Sequence, residues 1–165
     1  MSTIQQLQEQ FGIANTLTIT THPSGWPLIH IHNQHASAEI HLYAAHITHF
    51  QPHGQEPILW LSKQAIYREG KALRGGIPII WPWFGPHPTD QTLPQHGFGR
   101  NRFWQIAQTK QHDDGSTVVQ LVLTDSEETH SVWPHRFRLT LTITVGRALE
   151  VTLEMHHQED KPVDI

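Results

Sequence analysis

Cysteine is absent from this chain, which excludes disulfides and thiolate metal centres. Charge is also sparse. Only 16% of the residues are charged and the formal net charge is -4, so there is no basic footprint for nucleic acid or for an anionic membrane surface. No apolar run approaches the ~20 residues that a helix needs to cross a bilayer. The first twelve residues are polar and lack a basic stretch followed by an apolar one, the pattern of a signal peptide. A soluble, cytoplasmic chain is the expectation. Helical periodicity is scarce as well. Its 165 residues suffice for one domain with a real core.

What is present is mostly strand pattern. Ser2 or Thr3 can cap a short helix over residues 5–11, with Gly12 as its stop. Short strands are predicted over 17–20, 28–33, 40–48 and 58–61, with turns at Pro23-Ser24-Gly25 and Pro52-His53-Gly54. A second set is predicted over 104–108, 117–124, 137–145 and 148–156. Asp113-Asp114-Gly115 turns between its first two members and Gly146-Arg147 makes a tight hairpin between its last two. In the last pair, Leu139, Leu141, Ile143 and Val145 alternate with threonines, and Leu149, Val151, Leu153 and Met155 alternate with Glu150, Thr152 and Glu154. Such short strands with turn signals imply an all-β sandwich. Residues 163–165 read as the start of a further strand, so the chain is expected to end inside a larger sheet.

Between residues 69 and 102 regular periodicity is lost, and a loop region this long inside a compact domain is usually functional. Its first motif runs Leu73-Arg74-Gly75-Gly76-Ile77-Pro78-Ile79-Ile80-Trp81-Pro82-Trp83-Phe84-Gly85-Pro86. Arg74 offers a planar fork of donors suited to phosphate or carboxylate. The two glycines allow close backbone approach, and their amides suit an anion. Trp81, Trp83 and Phe84 present flat apolar faces on which the C–H face of a sugar ring can stack. The second motif is Gln95-His96-Gly97-Phe98-Gly99-Arg100, followed by Trp104. His96 exchanges hydrogen bonds with hydroxyls, and Arg100 repeats the anion chemistry of Arg74. Trp133 and Phe137, in Val132-Trp133-Pro134-His135-Arg136-Phe137, read as packing residues. The bland alternative for both loop motifs is a rigid aromatic scaffold with solvated arginines.

The two loop motifs together, with Ile58-Leu59-Trp60-Leu61-Ser62 before them and Trp133-Pro134 and Phe137 after them, resemble the hexose-6-phosphate mutarotases. This is the glucose-6-phosphate 1-epimerase branch of the aldose 1-epimerase family. The resemblance implies a galactose-mutarotase-like β-supersandwich, with residues 1–165 as the N-terminal half of a single such domain. It implies interconversion of the α and β anomers of hexose 6-phosphates by general acid–base catalysis, with no cofactor and no metal. By motif position it makes Arg74, Gln95, His96 and Arg100 substrate-binding residues, with the arginines on the phosphate. Gly99 stands where that family usually carries alanine. The family's catalytic histidine and glutamate are expected beyond Ile165, so this chain is expected to be inactive on its own. An open sheet edge is expected to favour self-association.

Two other functions fit parts of the pattern. A non-catalytic sugar-phosphate-binding β-sandwich module would use the same arginines. A metal-dependent, cupin-like enzyme would use some of the 15 histidines. Against the latter, His30 and His32, His46 and His49, and the pair His156-His157 form no compact set with a carboxylate and no H-E-x-x-H motif. These histidines read as ordinary polar strand residues.

Overall fold

The computed structural model describes residues 2–163 and 165. A helix, α1 (Ile4–Phe11), precedes two antiparallel meanders. The first is a sheet of β1 (Leu17–Thr21), β2 (Pro27–His32), β3 (Ala36–His41) and β4 (His46–Pro52), in that order. The second is a sheet of β5 (Gln105–Gln111), β6 (Thr117–Thr124), β7 (Phe137–Val145) and β8 (Leu149–His157). A one-turn helix, α2 (Glu127–His130), lies between β6 and β7. Among the described residues no helix is long and apolar enough to cross a membrane.

Local chemistry sets these elements. Thr3 caps α1 through a capping box in which its hydroxyl accepts from Gln6 N–H while the Gln6 side chain accepts from Thr3 N–H. Gly12 ends the helix with an extended backbone, φ −63°, rather than a left-handed one. The helix docks because Leu7 is buried, the Gln8 side chain accepts from Ile19 N–H at 2.6 Å, and Thr109 donates to the Phe11 carbonyl at 2.7 Å. In β7 the alternation resolves as expected. Phe137, Leu139, Leu141, Ile143 and Val145 are all fully buried, at about 1.5–3 kcal/mol of hydrophobic stabilisation each. They share one core with Ile29 and Ile31 of β2, Ala38 and Ile40 of β3, and Ile47 of β4. Asn33 joins the two sheets through a buried amide that donates to Thr117 Oγ1 at 3.1 Å and to the Val145 carbonyl at 2.8 Å.

Three local expectations need correction. Residues 40–48 are not one strand. The chain turns between β3 and β4 through Ala44 and Ala45, both at positive φ (68° and 48°) and both buried. The first half of β3, Ala36-Ser37-Ala38-Glu39, was hidden by residues with weak strand preference. Residues 58–61 form no strand. Leu61 makes an isolated bridge to Gly75, while Ile58 and Trp60 stay exposed. Val163 carries no strand pairing, and Asp164 falls outside the described residues.

Candidate functional site

The loop from β4 to β5 folds back on the first sheet through backbone pairings that place its two motifs side by side. Ile77 N–H donates to the Ile47 carbonyl of β4 at 2.9 Å, and Gly76 N–H donates to the Trp60 carbonyl at 2.7 Å. Phe98 N–H and Gly99 N–H both donate to the Trp81 carbonyl, at 2.9 and 3.1 Å. Trp81 and Gly97 form a parallel bridge. Two glycines make these approaches achievable. Gly76 has φ +63°, and a Cβ there would strike the Ile47 carbonyl and the His46 ring. Gly97 has φ +67°, and its Cβ would overlap the Trp81 carbonyl. Below the loop, Trp81 packs its ring edge-on against Phe98 (5.2 Å) and Trp133 (4.8 Å). Trp133 and Phe137 are therefore the packing residues the sequence implied.

His96 is held in a two-point clasp with Gly85. Its backbone N–H donates to the Gly85 carbonyl at 2.6 Å, and its Nδ1 accepts from Gly85 N–H at 3.0 Å. With Nδ1 used as an acceptor, the neutral ring carries its proton on Nε2, which makes the half-buried outer edge a donor. The exposed Phe84 ring stands edge-on to it at 4.8 Å.

Arg100 is half-buried in a 3-10 turn (Gly99–Asn101). One guanidinium nitrogen, Nη2, donates to the Gln95 carbonyl at 2.9 Å, while Nε is buried with no partner among the described residues. Burial pushes the guanidinium below its ordinary value, though far from deprotonation. Gln95 itself is exposed and acts here through its backbone carbonyl. Arg74 is also exposed. Its carbonyl accepts from Ser62 N–H at 3.0 Å, and its side chain makes no hydrogen bond among the described residues.

One residue that the sequence suggested was an ordinary polar strand histidine lies beside the first motif. His46, the first residue of β4, is fully buried and donates from Nε2 to the Gly75 carbonyl at 2.7 Å. Burial lowers its basicity, the Gly75 bond opposes this, and the Arg100 charge adds to the lowering. The charged form of His46 is therefore disfavoured, and its Nδ1 has no partner among the described residues. The Gly75 carbonyl bonds it directly, and the Arg100 charge lies near enough to act on it. Only the turn at Ala44-Ala45 could have marked it in the sequence, since that turn places His46 at a strand start rather than in mid-strand.

Arg100 offers an anion a preorganised guanidinium with an unused buried donor, and His96 offers a hydroxyl an imidazole donor beside the Phe84 ring. Residues 27–165 match the aldose 1-epimerase family model, and the chain belongs to that family. It is 41% identical over 129 residues to candidate glucose-6-phosphate 1-epimerases of Escherichia coli K12 and Salmonella typhimurium LT2, covering 78% of this chain and 43% of each relative. Among solved structures, a candidate mutarotase, YeaD, from Salmonella typhimurium superposes with a TM-score of 0.82 at 36% identity, over 88% of this chain and 48% of that one. A galactose mutarotase-related enzyme from Lactobacillus acidophilus shares the fold, with a TM-score of 0.60 at 22% identity, over 79% of this chain and 43% of that one. The all-β, galactose-mutarotase-like architecture expected from the sequence is borne out. The chain spans less than half the length of the curated relatives it matches.

Proposed function

We propose that this chain binds a hexose 6-phosphate and serves the interconversion of its α and β anomers, as part of a mutarotase-like β-sandwich domain to which residues 1–165 contribute the N-terminal portion. The observation that carries this reading is Arg100, a half-buried guanidinium held by the Gln95 carbonyl with its Nε unpartnered. A phosphate oxygen satisfies that donor, and a charge-assisted bond of this kind is stronger than a neutral one. Arg74, on the neighbouring segment, adds the second cation. His96 donates from Nε2 to a sugar oxygen, and Phe84 and Trp83 offer faces for the ring.

Anomer exchange needs a base for the anomeric O–H proton and an acid for the ring oxygen, with the roles reversed on closure. The residues assigned here bind and orient the sugar. The acid and the base are assigned to no residue of this chain. A cytoplasmic location suits a phosphorylated metabolite. Strand β8, paired only with β7, offers its other edge to a second chain.

Anomer exchange of glucose 6-phosphate, followed by NMR with this chain and with unphosphorylated glucose as control, tests the reading. The expected result is binding selective for the phosphorylated sugar. Selective acceleration of exchange would place an acid and a base within the chain, with His96 the first to test. Binding without exchange is the result this reading expects of the chain alone, and no binding of either sugar, or equal binding of both, would overturn the phosphate assignment.

A further inference from the structure

The pairing of β7 with β8 assembles a second polar cluster that the sugar site does not use. Phe137 opens β7 opposite His157 at the end of β8, and the ladder continues one step further, with Gln158 N–H donating to the Arg136 carbonyl at 3.0 Å. This brings Glu159 beside His135, in the turn that leads into β7. His135 Nδ1 lies 3.0 Å from Glu159 Oε2, and His157 Nε2 lies 3.2 Å from the same oxygen. The three ligand-capable atoms all fall within 4.8 Å of one another. The His157 side chain is only 16% exposed, and those of His135 and Glu159 are 32% and 31% exposed, so the group sits in a shallow recess reachable from solvent.

We propose that His135, His157 and Glu159 bind one divalent transition-metal ion, of which zinc is the representative. Two imidazole nitrogens and a carboxylate oxygen are a donor set suited to zinc. Zinc holds such atoms at about 2.0–2.2 Å, which puts neighbouring ligand atoms of a tetrahedral site roughly 3.3 Å apart. The two contacts at 3.0 and 3.2 Å already approach that spacing, so binding needs a small rotation of side chains and no movement of the sheet. The ring protons that now face Glu159 leave or move to the other nitrogen when an ion binds, since a metal takes the nitrogen's lone pair. A fourth position remains for water. The indole of Trp133 packs 4.5 Å from the His135 ring and screens one side of the site.

The ion would clip the end of β8 to the turn before β7, a structural role one indole away from Trp81. The sequence did not reveal the set because His135 is far in sequence from His157 and Glu159. Only the antiparallel register brings the three together.

Protein made without a histidine tag and stripped with EDTA is titrated with zinc chloride by calorimetry, and with cobalt chloride under visible absorption. One ion per chain is expected, with the intense d–d bands of a low-coordinate cobalt site. Binding should weaken at least tenfold in Glu159→Gln and His157→Gln and stay unchanged in His156→Gln, which alters the exposed neighbour on β8. Circular dichroism checks each variant, and the exposed Glu159→Gln decides the matter alone if His157→Gln unfolds. Absence of saturable one-to-one binding overturns the proposal. So does equal affinity in wild type and Glu159→Gln, or equal weakening in His156→Gln. None of these readouts depends on sugar binding.

Discussion

At the residue scale, buried imidazoles decide how the protein responds to acid. His41 is buried with Nδ1 unpartnered, and burial, followed by the nearby His22, His46 and His30, lowers it to about 3. Its folded value lies below its unfolded value of 6.5, so the unfolded chain takes up the proton first as pH falls. Stability from this group is complete above about pH 6.5 and declines as pH drops towards 3. Urea unfolding should show a loss of about 2–3 kcal/mol from His41 between pH 7 and pH 4.5, at ~1.36 kcal/mol per unit, with His46 adding to it. His41→Leu should show a shallower decline over the same window, and an unchanged slope would remove His41 as the cause. Arg100 gives a second prediction. Its charge-assisted bonds are worth about 1.5–3 kcal/mol, so Arg100→Ala should weaken hexose 6-phosphate binding roughly 10–100-fold by calorimetry and leave folding intact. Arg100 was singled out in the sequence as a fixed cation beside glycines, and its half-buried position and bond to the Gln95 carbonyl could be read only from the fold. His46 was not singled out, since its role depends on the Gly75 carbonyl and the Arg100 guanidinium, both remote in sequence.

At the element scale, period-two alternation was a reliable guide where one face is sealed and a poor one elsewhere. Strands β6 and β7 were legible with their ends because their inward residues are buried throughout, and in β7 Arg138 and threonines fill the other face. Strand β3 was only half seen, because a run of alanine and serine gives no contrast even when buried. The one-turn α2 was missed for another reason. Its capping box uses Ser126 and Thr129 rather than a glutamate at the third helical position, and four residues carry no period. The sealed face of β7 also sets the cost of disturbing it. Leu141 is fully buried between Leu121 of β6 and Leu153 of β8 in register. Leu141→Ala should cost about 2–5 kcal/mol in chemical denaturation with the denaturant slope unchanged. A cost under 1 kcal/mol would mean that the core is looser there than its burial implies.

At the scale of the whole molecule, two four-stranded meanders share one core, and among the described residues the outer edge of β8 has no partner strand. Leu153 on that strand is 39% exposed. If pairing occurs there, Leu153→Lys should shift the protein towards monomer in size-exclusion chromatography, since charge on an edge strand opposes association. A monomer in both forms would remove the edge as a contact. The order of the strands also carries a kinetic consequence. Every neighbour in each sheet is also the next strand along the chain, so most ladder contacts close short loops. Loop-closure entropy is therefore small within a sheet and large only for joining the two, across residues 53–104. Each meander can zip quickly by itself. Their meeting is expected to be the slow event, and the buried Asn33 side-chain NH2, whose partners are Thr117 and the Val145 carbonyl of the other sheet, reports when that meeting is complete.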